Sequence, residues 1–325
     1  MRAVVVEEFG TPEALRVREL PPPAPAAGEV VVDVQAAGVN FPDLLVVDGS
    51  YQILPERPFS PGKEIAGVVD SVGSGVTDFV AGQRVMAQIE HGGYRERVAA
   101  PAAQLVPLPD DMSYVDAAAF GMGYLTAYFA LRRRARLAAG ETVLVTGAGG
   151  CVGSASVQLA KALGATVIAV ARDERRGELA RAQGADHVLP AEPGLLRDRV
   201  RECTSGRGAD VVVELVGGTT FAEALRATAW EGRLVVIGFA GGEIPVIKAG
   251  HLLVKNIAVL GLQASDYRDR EPATMRAALG ELLELYTAGK LRVPIAGTFP
   301  LERAAEALEA VRNGGLSGNV VLTCP

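Results

Sequence analysis

The sequence predicts an α/β protein that combines a doubly wound parallel sheet with a second, discontinuous, mainly β domain. Between residues 141 and 261, short apolar segments typical of strands alternate with segments of helical periodicity, a pattern that places helices on both faces of a parallel sheet. Before residue 110 the chain is rich in Val, Gly and Pro and carries strand-like runs instead. A chain of 325 residues is longer than one typical domain, so two domains are expected.

The mainly β domain is predicted from strand-like runs at residues 2–7, 29–36, 65–71 and 83–87. The run from Pro21 to Gly28 cannot continue a sheet or a helix, so we interpret it as an extended surface connection. Ser113 followed by Asp116 is typical of a helix start. The chain then passes through Gly121-Met-Gly123 into a second helix, predicted to end near residue 140, which leads into the parallel-sheet domain.

The parallel-sheet domain is predicted to contain strands near residues 142–146, 166–170, 187–189, 210–214, 234–238 and 257–261. From residue 272 onward the sequence predicts two helices and a last strand, with no helix–strand unit that would extend a parallel sheet. We therefore assign residues 1–122 and 264–325 to the mainly β domain. Residues 123–263 are assigned to a dinucleotide-binding Rossmann domain.

A glycine-rich turn lies between the first strand of the Rossmann domain and its helix. Glycines here allow a sharp turn and a close approach of the backbone to a pyrophosphate, which the N–H groups at the helix start would face. An ordinary strand-to-helix turn also contains glycines, but the repeated strand–helix units favour a dinucleotide site. The candidate cofactor-binding residues in the turn are Gly147, Ala148, Gly149, Gly150, Cys151, Val152 and Gly153.

The residues after the second predicted strand indicate which dinucleotide is bound. NAD-binding folds carry an acid there to accept the ribose hydroxyls, whereas this chain has Ala171 and Arg172, with Arg175 and Arg176 on the next helix. Guanidinium groups suit a 2′-phosphate, so the sequence favours NADP(H) over NAD, with Arg172 and Arg176 as binding residues. Alternatively, these arginines begin a solvated helix whose neighbouring acids partly neutralise them.

Composition and charge exclude several other classes of protein. The net charge is −6 and the arginines are interleaved with acids, so nucleic acid is not the expected partner. No stretch of about 18 apolar residues and no signal-like start is present, which predicts a cytoplasmic protein without a membrane segment. The three cysteines, Cys151, Cys203 and Cys324, are too few and too far apart for a disulfide framework or a four-cysteine zinc site.

Further segments carry a family resemblance: residues 37–45 (AGVNFPDLL) with 49–52 (GSYQ), 58–69 (PFSPGKEIAGVV) and 157–165 (VQLAKALGA). Together with the glycine turn they resemble the medium-chain dehydrogenase/reductase superfamily, specifically its zinc-free quinone oxidoreductase branch of ζ-crystallin-like enzymes. The resemblance covers almost the full chain. It implies a Rossmann domain, a mainly β GroES-like catalytic domain and a homodimer or homotetramer.

The resemblance also bears on metal content. Zinc-dependent relatives carry a cysteine ligand after the Gly-Val pair and a histidine between the Gly and Glu of the later segment, where this chain has Asn40 and Lys63. Without a thiolate or an imidazole at these positions, the sequence predicts no metal site. We interpret Lys63 as an exposed or ion-paired side chain with Glu64 as its candidate partner.

By resemblance, Asn40 lies beside the nicotinamide and the substrate, and its amide could donate to the acceptor oxygen as charge develops. Its alternative role is to cap a helix, with Asp43 stabilising the helix start. Tyr51 matches a family tyrosine near the substrate channel, where it could stack on a quinone and bind a carbonyl, or simply pack in a loop. Other positions that match the family's cofactor-lining residues are Thr126, Gly238, Phe239, Leu262, Gln263 and Asn319.

These observations predict hydride transfer from NADPH to a quinone without a metal. An NADPH-dependent reductase of 2-enones or enoyl-thioesters is the alternative enzyme, for which Tyr51 could supply a proton. A non-catalytic NADPH-binding protein is a further alternative, because ζ-crystallin-like folds also serve as lens structural protein and as RNA binder. The acidic net charge weighs against RNA binding.

Overall fold

The structure is a computed structural model that describes residues 1–324, and the chain divides into two compact units. The first, which we call the mainly β unit, comprises Met1–Met122, Tyr267–Thr287 and Val293–Pro325. The second, the parallel-sheet unit, comprises Gly123–Asp266 and Ala288–Arg292. The first unit is thus built from three separate parts of the chain.

Strands and helices are numbered here in chain order. The strands are β1 Arg2–Val5, β2 Arg16–Glu19, β3 Glu29–Val39, β4 Glu64–Val72, β5 Arg84–Gln88, β6 Arg97–Pro101, β7 Leu105–Pro107, β8 Thr142–Val145, β9 Thr166–Ala171, β10 His187–Pro190, β11 Ala209–Glu214, β12 Thr228–Val236, β13 Ala258–Gly261, β14 Ile295–Pro300 and β15 Asn319–Thr323. The α-helices are α1 Phe41–Asp48, α2 Tyr114–Ala118, α3 Gly121–Tyr128, α4 Cys151–Ala162, α5 Glu174–Ala182, α6 Leu196–Cys203, α7 Gly218–Ala227, α8 Ala249–Leu253, α9 Ser265–Arg270, α10 Pro272–Thr287 and α11 Ala304–Arg312.

In the mainly β unit the sheet order is β14-β15-β3-β4-β5-β7, and β6 also pairs with β3. All these pairs are antiparallel except β14 with β15. The long strand β3 is the centre of the sheet, and its valines are buried against a core that also contains Ile65, Leu105 and Leu308. The ends of β3 and β4 carry the family segments, so the hydrophobic core fixes where those segments meet.

Helix α1 follows β3 directly and ends at Gly49, which has a φ of +83°. Glycine is favoured at this left-handed helix end, and a Cβ there would also lie 2.9 Å from the Phe9 ring. After this helix end the chain leads to Tyr51, whose N–H donates to the Leu45 carbonyl 3.0 Å away. Asn40 and Tyr51 therefore flank the same short helix.

The parallel-sheet unit contains a sheet of order β10-β9-β8-β11-β12-β13, in which every pair is parallel. With β8 as the first strand, this is the doubly wound 3-2-1-4-5-6 order of a Rossmann fold. The prediction of a Rossmann sheet plus a mainly β domain is confirmed. Strand β8 is buried along its whole length, which is why its run of apolar residues was recognisable in the sequence.

Several elements differ from the sequence-based predictions. Strand β12 runs from Thr228 to Val236, whereas a strand at 234–238 was predicted; a residue of positive φ, Glu231, interrupts its regular pattern. The helix predicted to reach residue 140 ends as α3 at Tyr128 and continues as a π-type segment to Arg134. Strand β14 was not predicted, because it contains Gly297 and Pro300, residue types that are unfavourable in strands. No helix within residues 1–324 is long and apolar enough to cross a membrane.

Candidate functional site

The glycine turn joins β8 to α4 and has little space for side chains. Gly147 has a φ of +61°, and a Cβ at Gly153 would lie 2.2 Å from the Gly147 oxygen. At Gly150, the residue before α4, a Cβ would meet only the Gly147 oxygen, at 3.6 Å. The Ala148 N–H donates to the Val170 carbonyl, 3.1 Å away, and so ties the turn to the end of β9. The N-terminus of α4 follows this turn directly, and helix N-termini attract anions.

Arg176 packs directly on this turn. A Cβ at Gly149 would lie 2.4 Å from Arg176 Cγ, so the aliphatic part of the arginine occupies the space that a side chain would need. Its guanidinium forms an ion pair with Asp173, which begins α5 by accepting the Arg176 N–H at 3.0 Å. Arg172 follows β9, is 57% exposed and has its Nε 3.5 Å from Asp173 Oδ2. The structure therefore brings the glycine turn and both predicted phosphate-binding arginines to one end of the sheet.

The same carboxyl edge of the sheet carries further predicted residues. Gly238 and Phe239 follow β12, and Leu262 and Gln263 follow the neighbouring strand β13. The Leu262 N–H donates to the Val236 carbonyl at 3.1 Å, which keeps the two strand ends adjacent. Strand ends at this edge are where ligands bind in open parallel sheets.

Glu214, at the end of β11, was not recognised as a site residue from the sequence. It is fully buried, and its carboxylate accepts the N–H groups of Val216 at 3.0 Å and Gly217 at 3.1 Å. Burial raises its pKa, although these hydrogen bonds and one from Thr146 oppose the change. The residue orders the loop after β11, next to Phe239, which lies 3.4 Å from a Cβ position at Gly217.

In the mainly β unit, Asn40 combines a structural role with an oriented side chain. Its N–H donates to Asp43 Oδ2 at 2.8 Å, so the residue begins α1 as the alternative interpretation expected. Its side-chain Nδ2 donates to Glu64 Oε1 at 2.7 Å. The Asn40 amide is buried, and this hydrogen bond fixes its orientation. It can therefore present a hydrogen-bonding group in a fixed direction.

Two buried carboxylates lie beside Asn40. Glu64 also accepts the Met122 N–H at 2.8 Å through its second oxygen, and burial raises the pKa of Glu64 to about 7 despite these hydrogen bonds. Asp43 accepts a hydrogen bond from the Tyr94 hydroxyl at 3.1 Å, and burial raises the pKa of Asp43 to about 6. We call Asn40, Asp43, Glu64 and Tyr94 the carboxylate cluster. Within residues 1–324, no group of three or more His, Cys, Asp or Glu side chains is arranged to hold a metal ion.

Lys63 is ion-paired, as one of the two alternatives expected, but its partner is Glu90 instead of Glu64 and its side chain is not exposed. Lys63 is only 5% exposed, and its Nζ lies 2.5 Å from Glu90 Oε1 and 4.5 Å from the centre of the Tyr51 ring. Consecutive side chains at a strand start point to opposite faces, so Lys63 and Glu64 turn apart. Glu90 is shared with Arg268, at 2.7 Å. Lys63 and Glu64 therefore contact Tyr51 and Asn40, respectively.

Two further predicted cofactor-binding residues, Thr126 and Asn319, lie on neither the glycine turn nor the loops that follow β12 and β13. Thr126 is buried on α3. Asn319 begins β15, and both its N–H and its Nδ2 donate to the Pro294 carbonyl, at 2.7 and 3.2 Å. One side-chain donor of Asn319 is thus used to hold the end of the neighbouring segment.

Comparison with known proteins identifies the family. The model of the alcohol dehydrogenase GroES-like domain matches residues 26–110, and that of the zinc-binding dehydrogenases matches residues 151–283. The quinone oxidoreductase-like protein 2 homolog of Nematostella vectensis is 38% identical over 328 residues, which cover 99% of this chain and 88% of that protein. The chain belongs to the quinone oxidoreductase family of medium-chain dehydrogenases/reductases. The resemblance stated from the sequence is confirmed.

Solved structures agree with this quinone oxidoreductase fold. A mycobacterial protein complexed with NADPH has a TM-score of 0.93 at 32% identity, with 99% of this chain and 100% of that chain covered. Quinone oxidoreductase of Escherichia coli, also complexed with NADPH, has a TM-score of 0.92 at 30% identity over 99% of this chain and 100% of that chain. Both relatives thus match both units of this family member.

The sequence did not reveal the residues that hold Asn40 and Lys63 in place in this quinone oxidoreductase family member. Glu64 was considered only as a partner of Lys63, while Tyr94, Glu90 and Arg268 were not considered at all. Lys63 and Glu90 are 27 residues apart, and Glu90 and Arg268 are 178 residues apart. One local signal existed: the glycine at position 38, two residues before Asn40, leaves room for the Glu64 carboxylate.

Proposed function

We propose that this chain is an NADPH-dependent quinone reductase that transfers a hydride to a small-molecule quinone without a metal ion. The observation that carries the proposal is the glycine turn with Arg176 packed on it and Arg172 beside it, at the carboxyl edge of β8 and β9. Likeness to an NADPH-complexed quinone oxidoreductase over 99% of the chain supports it.

The residues present fit NADPH. The open backbone at Gly150 and the first turn of α4 suit a pyrophosphate, because helix N-termini attract anions. Arg172 and Arg176 would form charge-assisted hydrogen bonds with a 2′-phosphate. When bound, the reduced nicotinamide supplies the hydride. The residues proposed to contact the rest of the cofactor are Asn40, Thr126, Ala148, Cys151, Val152, Gly238, Phe239, Leu262, Gln263 and Asn319.

Asn40 and Tyr51 are proposed to contact the acceptor. The Asn40 amide nitrogen carries two protons and donates one to Glu64, so the other is available to an acceptor oxygen as negative charge develops there. The half-buried Tyr51 ring offers a surface for stacking a flat quinone. The Lys63 ammonium against that ring adds positive charge near the reduced product.

Absence of a metal from the mechanism is supported by the chemistry of two side chains. Asn40 and Lys63 occupy the places of the cysteine and histidine ligands of zinc-dependent relatives, and neither an amide nor an ammonium group replaces a thiolate or an imidazole as a zinc ligand. Both side chains act as N–H donors here, to Glu64 and Glu90. Hydrogen bonds would therefore stabilise the reduced acceptor.

A second candidate activity is the reduction of a 2-enone or an enoyl-thioester. The Tyr51 phenol favours it, since alkene reduction needs a proton at the α-carbon after hydride arrives at the β-carbon, and a phenol can supply one. The protein would then remain an NADPH-dependent reductase with a different acceptor.

A panel of acceptors decides between these activities. Purified protein is mixed with NADPH and, in turn, with benzoquinones, alkenals and enoyl-thioesters, and kcat/KM is measured from the loss of nicotinamide absorbance. We expect the highest kcat/KM with a quinone. A preference for an alkene by more than about tenfold, or ~1.4 kcal/mol, would replace the quinone proposal with the alkene one. Tight NADPH binding without turnover of any acceptor would indicate a non-catalytic binding protein.

We also propose that the protein is a homodimer that pairs through the parallel-sheet unit. Strand β13 is an edge strand of this unit. The chain segment before it carries exposed apolar side chains, including Ile244, Val246, Leu253 and Val254, which are 71–89% exposed. Unpaired strand edges with apolar neighbours are typical association surfaces. In sedimentation analysis, Leu253→Asp is expected to produce monomers, whereas Val80→Asp, at an exposed residue of the mainly β unit, leaves dimers. A monomeric wild-type protein would contradict the proposal.

A further inference from the structure

Two separate segments of the mainly β unit make room for the Glu64 side chain. A Cβ at Gly38 would lie 2.4 Å from Glu64 Oε1, and a Cβ at Gly121 would lie 3.2 Å from Oε2. Glu64 itself is 1% exposed. The glycines of the Gly-Val-Asn segment and of the Gly-Met-Gly segment are therefore both in contact range of the same carboxylate.

Each oxygen of this carboxylate has one neutral N–H donor. Oε1 accepts from Asn40 Nδ2 at 2.7 Å, and Oε2 accepts from the Met122 N–H at 2.8 Å. Burial of a carboxylate with neutral donors disfavours its ionised form, so Glu64 is a costly way to fill this space. A residue of this kind is expected to have a role besides packing.

We propose that Glu64 is a positioning residue for the acceptor site, an inference that rests on the proposed function. Both oxygens of Glu64 accept N–H donors, Oε1 from Asn40 Nδ2 and Oε2 from Met122, so the nitrogen side of the Asn40 amide faces Glu64 and its oxygen side faces away. The Met122 N–H occupies the other oxygen and prevents the carboxylate from rotating. Glu64 thereby fixes which proton of the Asn40 amide remains for the acceptor.

The Glu64→Gln variant tests this role without a change of shape. The introduced glutamine can keep the Met122 hydrogen bond through its oxygen, but its NH₂ group then faces the Asn40 NH₂ group. The Asn40 amide relieves this conflict by turning over, which exchanges its donor and acceptor positions. We expect kcat with a quinone to fall about tenfold with little change in the Kd of NADPH, because the group meant for the acceptor is misplaced.

Glu223→Gln is the matched control. Glu223 is also buried, and its two oxygens accept backbone N–H groups from Gly194 and Leu196, so the substitution removes a buried carboxylate of similar surroundings from the parallel-sheet unit. Its kcat per folded molecule should equal that of the wild type. An equal fall in kcat in both variants would overturn the proposal, since the effect would then be a general result of losing a buried carboxylate.

A double-mutant cycle separates positioning from stability. In an Asn40→Ala background, Glu64→Gln should cause no further loss of kcat, because Glu64 acts through Asn40. The double variant Asn40→Asp with Glu64→Gln restores a donor–acceptor pair between the two residues. It should regain thermal stability relative to Glu64→Gln but not kcat, since a carboxylate replaces the amide. Independent, additive losses of kcat would overturn the proposal.

Nuclear magnetic resonance spectroscopy tests the orientation of the Asn40 amide without an activity assay. The asparagines of the chain are Asn40, Asn256, Asn313 and Asn319, so labelling asparagine alone with nitrogen-15 gives few side-chain amide signals, and Asn40→Ala assigns one pair. One proton of that pair should exchange slowly in the wild type, and the pair should shift in Glu64→Gln. An unshifted pair would overturn the positioning role. If instead the pair shifts but the wild type reduces no acceptor, the orientation of Asn40 stands and the proposed function fails.

Discussion

At the scale of single residues, two buried cations of the candidate site, Lys63 and Arg268, share one carboxylate. Lys63 lies against the Tyr51 ring and shares Glu90 with Arg268. Such a chain of contacts holds the ammonium in one place, and an ammonium over an aromatic face attracts its electrons. Tyr51 is thereby anchored on one face by Lys63.

Lys63→Met is expected to weaken acceptor binding. The substitution keeps much of the side-chain volume but removes the charge from the Tyr51 face, so KM for a quinone should rise about fivefold, which corresponds to the ~1 kcal/mol of a typical cation–π contact. Lys161→Met is the control, because Lys161 pairs with Asp186 in the parallel-sheet unit. If the rise in KM is the same in a Tyr51→Leu background, Lys63 does not act through Tyr51.

Arg172→Ala is expected to reduce the preference for NADPH over NADH. Loss of a charge-assisted hydrogen bond with the 2′-phosphate should raise the Kd of NADPH by about tenfold to thirtyfold and leave the Kd of NADH unchanged. Arg181→Ala serves as the control, since Arg181 lies on α5, the helix that follows Arg172, and pairs with Glu174. Parallel changes for both cofactors, measured by fluorescence titration, would exclude a contact with the 2′-phosphate.

At the scale of elements, much of the architecture could be predicted because parallel strands are buried on both faces. Strands β8, β9 and β11 are therefore mostly apolar and stand out in the sequence. Strands β2 and β14 were missed: the side chains of β2 are exposed and two of its four are arginines, while β14 is interrupted by glycine and proline. Their existence depends on pairing with β1 and β15, respectively, which the local pattern of each strand does not encode.

The candidate site likewise has one part that the sequence predicts and one part that it does not. The glycine turn is a local motif, so its place between β8 and α4 followed from the sequence. The contacts of Glu64 with Asn40 and Met122 join residues 24 and 58 positions apart, and they depend on the register of β3 with β4. That register is set by core packing along both strands, which residue types at the site do not reveal.

Gly153→Ala is expected to disrupt the turn before α4. The added Cβ would lie 2.2 Å from the Gly147 oxygen, a backbone atom that cannot move without opening the turn. We expect a loss of stability of about 1–3 kcal/mol together with weakened NADPH binding. Gly280→Ala is the control: a Cβ there meets nothing within 4 Å on helix α10, so alanine should stabilise the helix by up to ~1 kcal/mol. Equal melting temperatures for the two variants would contradict this account of the turn.

At the scale of the whole molecule, the carboxylate cluster makes stability depend on pH. The pKa of Glu64 is raised to about 7 in the folded protein, so between its unfolded pKa and that value the folded state holds a proton that the unfolded state has released. Under this condition the free energy of unfolding falls as pH rises. Asp43, whose pKa is raised to about 6, acts in the same direction.

Comparison of the wild type with Glu64→Gln isolates this contribution. The variant has no titrating group at position 64. As pH rises from about 4.5 to about 7, the unfolding free energy of the wild type should therefore fall relative to that of the variant. The total change should be ~1.4 kcal/mol for each unit by which folding raises the pKa of Glu64. Below and above this window the difference should be constant. Urea unfolding at a series of pH values measures it, and a difference that is constant throughout would show that Glu64 titrates normally.

The packing of Arg176 on Gly149 has a consequence for protein engineering. The methylene groups of Arg176 fill the space above the glycine turn, while its guanidinium is the part expected to select between cofactors. A redesign toward NADH should therefore remove the charge but keep the stem. Arg176→Met would retain a cover on the turn, whereas Arg176→Ser would leave Gly149 beneath a void, and cofactor selectivity gained in that way would come with a looser pyrophosphate site.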